Sequence, residues 1–261
     1  MLLCAVLALT GCIDTATKVV VKADGSGTIE KTIFLSRHLA ELMISMGNKS
    51  DPATIEQGML NEKTLKAGAA RLGSGVTFVS AEKVTGPKGN GWKALYSFKD
   101  IGAVKLSQNP AADLTIPGAS TTNTAPTDKE SFTFTFTKGA PATLSIAFPK
   151  PDPNAKPAGG PPAGAATDEK MVQSIKQLYA DMRIVLVVTV DGTIAKTNAT
   201  YTSGSDVTLL DMDFAKIIGD EATYKKLSSM QNQSMTEVRK TVKAVPGILI
   251  EDHDPVTISF R

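Results

Sequence analysis

Residues 131–137 read Ser-Phe-Thr-Phe-Thr-Phe-Thr, and a strict period of two over this length restricts the backbone severely. A helix would scatter Phe132, Phe134 and Phe136 around its circumference. An extended strand places all three on one face and a row of Ser and Thr hydroxyls on the other. Leu144, Ile146 and Phe148 repeat the alternation after a Lys138-Gly139-Ala140-Pro141 turn. The pair can therefore lay one apolar surface against a helix layer.

Two more β-rich stretches surround glycine turns. Residues 18–23, with Val19, Val20 and Val21, lead into Asp24-Gly25-Ser26-Gly27, and residues 28–35 lead away, the pattern of a hairpin. Arg183–Val190 is an almost unbroken β-branched run, apolar on both faces, which asks for strand neighbours on both sides. Asp191-Gly192 follows as a two-residue turn signal and residues 193–202 lead away, so a second hairpin is expected there. Gly27-Thr28-Ile29-Glu30-Lys31-Thr32 and Gly192-Thr193-Ile194-Ala195-Lys196-Thr197 share a short string. Either a duplicated unit or two hairpins of similar composition would produce it.

Helical spacing appears between the strands. Leu35, Leu39, Leu42, Met43 and Met46 fall on one helix face that stops near Gly47-Asn48. Ile55, Met59, Leu65, Ala69 and Leu72 continue the pattern after Ser50-Asp51-Pro52, and Gly73 to Gly75 end it. Residues 75–84 and 91–98 then read as strands around Gly-Pro-Lys-Gly-Asn. Met171, Ile175, Leu178 and Met182 mark a helix over 168–181, and residues 213–230 and 235–245 mark two more, ended by Pro246-Gly247. Residues 248–250 and 255–260 read as terminal strands. The fold expected is α+β, an antiparallel sheet built from β-hairpins and packed with helices, with a Pro/Ala-rich insert.

Residues 107–129 are rich in Ser, Thr, Asn, Pro and Ala, a long polar connection that is mobile by composition. Residues 149–167 hold six prolines with almost no large apolar side chain and cannot pack a core. They are a linker or a protruding loop. Because Arg183–Val190 needs central neighbours, the regions 18–148 and 168–261 are expected to share one sheet.

The 28 Lys and Arg side chains against 26 Asp and Glu leave a net charge of +2, which offers no basic field for a nucleic acid. No apolar run reaches the roughly 18 residues of a spanning helix. Residues 1–11 are instead an apolar leader of signal-peptide length, ending in small residues before Cys12. Leu9-Thr10-Gly11-Cys12 resembles the lipobox of bacterial lipoproteins, which implies cleavage after Gly11 and a diacylglycerol on Cys12, with residues 12–17 as lipidated N-terminus and tether. Acyl chains at about 0.8 kcal/mol per buried CH₂ would hold the protein on a bilayer surface. No Lys or Arg precedes Lys18, so the basic region expected before such a leader is missing, which reads as a truncated start or one assigned too late. Cys4 lies in the leader, so with Cys12 acylated the body has no thiol for a disulfide or a metal.

Little catalytic chemistry is announced. His38 and His253 are the only histidines, too few for a multi-histidine metal site, and Ser36 beside His38 reads as a helix N-cap. No nucleophile elbow, zincin, P-loop or dinucleotide fingerprint occurs. Glu251-Asp252-His253-Asp254 offers four ligand-type side chains in a row, but neighbours on a strand or turn point apart, and a solvated turn explains them. Asp211-Met212-Asp213 stands before a helical pattern as a cap. Gly25-Ser26-Gly27 could cradle an anion, though a hairpin turn needs those residues anyway. The methionines sit mostly on helix stripes, as core. No cofactor and no metal are expected.

Thr17-Lys18-Val19-Val20-Val21-Lys22-Ala23-Asp24-Gly25-Ser26-Gly27-Thr28, close behind the cysteine, resembles the start of the mycobacterial LppM-type lipoproteins and related bacterial envelope lipoproteins. Asn198-Ala199-Thr200-Tyr201-Thr202-Ser203-Gly204-Ser205-Asp206-Val207-Thr208-Leu209 is similar to a strand, glycine turn and strand of the same group. The resemblance implies a lipid-anchored envelope domain that binds lipid or glycolipid and is not an enzyme; the long Pro/Ala insert departs from a compact single module. The function expected is a non-enzymatic protein of the bacterial cell envelope, on the inner or the outer membrane. It would bind an apolar ligand, with Phe132, Phe134 and Phe136 as the face for it, or a protein partner. The alternative is an envelope hydrolase using Asp211, Asp213, Glu251 and Asp254, with or without a divalent metal.

Overall fold

A computed structural model describes residues 13–36, 62–86, 89–107, 131–150, 182–219, 242 and 245–261. β1 (Ile13–Val21) and β2 (Gly27–Ser36) form the hairpin expected around Gly25, with Val21 opposite Gly27. β3 (Thr77–Gly86) and β4 (Gly89–Phe98) form another, and β4 lies antiparallel to β2. β5 (Leu106–Ser107), β6 (Ser131–Thr137) and β7 (Ala142–Ala147) follow. Then come β8 (Arg183–Val190), β9 (Ile194–Thr197), β10 (Thr202–Ser203), β11 (Asp206–Asp213), β12 (Ile248–Ile250) and β13 (Val256–Phe260).

These strands make two sheets. The eight-stranded sheet runs β10-β11-β8-β1-β2-β4-β3, with β12 also paired to β11, and the five-stranded sheet runs β5-β6-β7-β13-β9. β8 is central, as its two apolar faces demand: it lies parallel to β1 and antiparallel to β11. Strands from both sides of the Pro-rich segment enter both sheets. β3 is an edge strand whose register slips at Val79, and a bulge of this kind turns the exposed Val79 side chain away from the ladder.

The α+β expectation does not hold. The described residues are nearly all β, with short helical pieces at α1 (Glu62–Gly68), a 3-10 turn at Ala69–Leu72 that continues it, α2 (Phe214–Gly219) and a 3-10 turn at Ile101–Ala103. Nor is the larger sheet purely antiparallel, since β1 and β8 run the same way. The physical reason is that alternation tells which face of a strand is buried and not what buries it. The apolar face of β6 and β7 shares one hydrophobic core with Val19, Val21, Val188 and Val190 of the larger sheet, so a sheet stands where a helix layer was expected. Val19, Ile29, Leu144, Ile146, Ile258 and Phe260 are completely buried in it, each worth about 1.5–3 kcal/mol relative to exposure.

Several expected elements shift or fall outside the description. Leu35 and Ser36 end β2, paired with Asn90 and Gly89, instead of opening a helix. The stripe Leu39 to Met46, the connection 108–130, the Pro-rich stretch 151–167, the helix over 168–181 and most of those over 213–230 and 235–245 lie outside the described residues. Residues 13–17, expected as a tether, are the first part of β1.

The second hairpin is also corrected. β9 does not return along β8; it pairs with β13 in the other sheet. Both edges of β8 are already taken by β1 and β11, so the chain after Val190 has no ladder to rejoin. Asp191 N–H donates to Val21 O (2.8 Å) and Thr193 N–H to Arg261 O (2.8 Å), which carries the chain from one sheet to the other over three residues. The strings at Gly27 and Gly192 thus head a central strand of the larger sheet and an edge strand of the smaller one.

Candidate functional site

Two connections between the sheets lie side by side. β9 passes to β10 through residues 198–201, and β12 passes to β13 through residues 251–255. The Glu251 carboxylate joins them and is completely buried. Its Oε2 accepts from Thr200 N–H (2.7 Å) and Tyr201 N–H (3.3 Å). Its Oε1 accepts from the Thr200 hydroxyl (2.9 Å), Asp252 N–H (2.9 Å), His253 N–H (3.0 Å) and, with that nitrogen protonated, His253 Nδ1 (3.1 Å). Burial pushes the carboxyl toward its neutral form, but the bonds from His253 and Thr200 outweigh this and hold it below its ordinary value. A buried charge is stable only when it is well supplied with donors, and this one is.

Neighbouring side chains finish the joint. Asn198 donates from Nδ2 to Pro255 O (3.1 Å) and accepts at Oδ1 from Thr257 N–H (2.7 Å). Asp254 accepts from Phe148 N–H (3.0 Å), which ties the end of β7 to the same corner. Glu251-Asp252-His253-Asp254 is thus not a solvated turn throughout: Glu251 is its buried centre, while the His253 side chain is 51% exposed. Among the described residues no group of three or more His, Cys, Asp or Glu side chains is placed to hold a metal ion.

The other candidates are held separately. Arg183 grips Asp211 with two parallel bonds, Nε to Oδ1 (2.9 Å) and Nη2 to Oδ2 (2.8 Å), and this pairing raises the arginine's already high pKa. Asp213 receives Lys216 N–H (3.4 Å) at the start of α2 and lies 3.4 Å from Lys216 Nζ. In the first hairpin, Asp24 accepts from the Ser26 hydroxyl (2.7 Å) and N–H (2.9 Å), and these bonds hold its carboxyl below the usual range. The Gly25-Ser26-Gly27 segment is therefore folded on itself as a turn. Cys12 and His38 lie outside the described residues.

Phe132 and Phe134 are buried, and Phe136 is half-buried. Phe132 packs on Phe148 with ring centroids 5.0 Å apart, and Phe136 on Phe260 at 6.3 Å. Their face is occupied by the protein's own core. Sequence reasoning missed Thr200 and Tyr201 as the partners of Glu251, and Asn198 as the partner of the adjoining Pro255 and Thr257. The available signal was an acid directly after the apolar run Ile248-Leu249-Ile250, a place where a carboxylate is either turned to water or buried and supplied with donors.

No protein-family model and no curated protein matches the chain. One solved structure, "NMR structure of the Mycobacterium tuberculosis LppM (Rv2171) protein folded domain", aligns over 96% of this chain and 90% of its own at 9% identity, with a TM-score of 0.31. A superposition at that score does not establish a shared fold. Among the described residues no helix is long and apolar enough to cross a membrane.

Proposed function

We propose that this is a lipid-anchored, non-enzymatic protein of the bacterial cell envelope whose two-sheet body binds a protein partner or an apolar ligand beside the membrane. The observation that carries the reading is that the carboxylates a hydrolase would need are engaged in structural work. Glu251 is enclosed by donors at both oxygens, Asp211 is clamped by Arg183, Asp213 receives Lys216 and Asp254 holds the end of β7. A general acid or base must exchange its proton with a substrate, and a carboxylate surrounded by intramolecular donors is poorly placed for that. Leu9-Thr10-Gly11-Cys12 supplies the anchor in this reading, through diacylglycerol on Cys12.

The anchor is tested by expressing the full chain and Cys12→Ser in a bacterium fed a labelled palmitate. Label on the wild type, and loss of both label and membrane association in the variant, is the expected result; an unlabelled wild type refutes the anchor. Native mass spectrometry of the body, Ile13 to Arg261, distinguishes the two kinds of partner. A reproducible added mass in the lipid range points to an apolar ligand, which could reach Phe132 and Phe134 only if the sheets part. A bare protein mass points to a protein partner, to be captured by crosslinking in the intact envelope.

A further inference from the structure

If Cys12 carries the lipid, a reading this inference rests on, the geometry points to the end of the larger sheet where β1 begins as the surface that faces the bilayer, with no tether between anchor and fold. Ile13, the residue after Cys12, already pairs with Leu35. By Thr15 the strand is held on both sides, opposite Ile33 of β2 and Ile184 of β8, and the Thr15 side chain is buried. Residues 13–17 cannot serve as a leash without breaking ladder bonds along β2 and β8. Consecutive Cα atoms lie about 3.8 Å apart, so a lipid on Cys12 would keep Ile13 within a few ångströms of the headgroups.

Registry then says what shares that level. Ser36 ends β2 opposite Gly89, and Thr85 lies opposite Asn90 where β3 meets β4. Arg183 opens β8 opposite Asp213, the last residue of β11, and α2 begins immediately after. Among the described residues here, Arg183 is paired with Asp211 and Lys216 with Asp213. Contact with the bilayer at this end is imposed in this reading by the covalent anchor, whatever charge the lipids carry. The turns at Gly25 and Gly204 lie at the other end, eight strand steps along β1, or about 26 Å at ~3.3 Å per residue.

The test uses the lipidated full chain in vesicles of phosphatidylethanolamine and phosphatidylglycerol that contain a lipid with a nitroxide headgroup. A fluorophore is placed on single cysteines at the exposed positions Thr85→Cys and Ala215→Cys at the anchor end, and Ser203→Cys at the far end. Palmitate incorporation is read on the same samples. Quenching at the two near positions is expected to exceed that at Ser203→Cys by at least about threefold, given the ~26 Å between the two ends. Ten Gly/Ser residues inserted between Cys12 and Ile13, roughly 17 Å of slack, should remove most of the contrast while labelling persists. Palmitate incorporation with equal quenching at both ends, or a contrast that survives the insertion, overturns the inference and leaves the anchor standing. No palmitate incorporation overturns the anchor, and the inference falls with it.

Discussion

Asp24-Gly25 and Asp191-Gly192 carry the same local turn signal after similar β-branched runs, yet the first closes a hairpin and the second sends the chain into another sheet. The difference lies in what the preceding strand still has to offer. When the chain leaves β1 at Val21, an edge of β1 is available to β2. When it leaves β8 at Val190, β1 occupies one edge and β11 comes to occupy the other. A turn signal specifies a reversal of direction; which strand receives the chain depends on unoccupied backbone hydrogen-bonding groups. The return journeys differ as well. The Gly25 turn closes on itself, through Lys22 O with Gly25 N–H and through Asp24 with Ser26. The passage back from β9 to β10 relies on Glu251, about fifty residues further along.

That contrast can be broken most severely at Glu251. Replacement by Ala leaves the N–H groups of Thr200, Tyr201 and His253 without their acceptor in a buried corner, and about 4 kcal/mol of stability should be lost in urea melts. Gly192→Ala comes next. Its φ is +156°, and a Cβ would lie 2.6 Å from the backbone oxygen of Arg261, which cannot swing away without opening the link to β13. A loss of about 2–3 kcal/mol is expected in the same melts. Gly25→Ala, at φ +87°, would place its Cβ 2.8 Å from the Phe136 ring, which can yield a little, so about 1–2 kcal/mol is expected. If Gly25→Ala proved the costlier of the two glycine variants, the distinction between a hairpin turn and a crossing would be wrong.

Acid sharpens the comparison. The folded Glu251 carboxyl sits below its ordinary value near 4.5, so its contribution to stability is fully present above that value and is lost as pH falls through the lower folded one. The wild type should lose urea resistance below about pH 4.5 more steeply than Glu251→Gln, whose amide does not titrate. The smallest effect belongs to a pair outside both turns. Asp211→Asn weakens a bidentate but partly exposed link to Arg183 and should change stability by only about 0.2–1 kcal/mol.

The legible parts of the fold were those that depend on nearest neighbours. Ser131–Thr137 is a strand because of its period, the β1–β2 hairpin follows from its glycine turn, and β8 is central because both of its faces are apolar. The layer opposite the phenylalanines was not legible, because a helix and a sheet bury the same alternating face. The candidate site was legible only in part. The acidic run at 251–254 stood out, but the donors that make Glu251's burial tolerable include Thr200 and Tyr201, about fifty residues away, and a Thr and a Tyr in a Thr-rich stretch carry no mark of the partner they will meet. The Phe132, Phe134 and Phe136 side chains show the reverse: their direction was evident, and only packing decided that Phe148 and Phe260 would cover two of them.

By itself the sequence determined where the chain extends and turns, which faces are apolar, that Cys12 follows a lipobox-like string, and that no metal-binding or nucleotide-binding motif is written in it. The tertiary structure decided that β1 and β8 lie parallel, that β9 changes sheets, that β1 begins directly behind Cys12, and that Glu251 is a buried clasp. Side-chain period and turn chemistry act over a few residues and are written locally. Strand partners, and the donors that make a buried carboxylate tolerable, are chosen by competition among all the hydrogen-bonding groups of the folded chain.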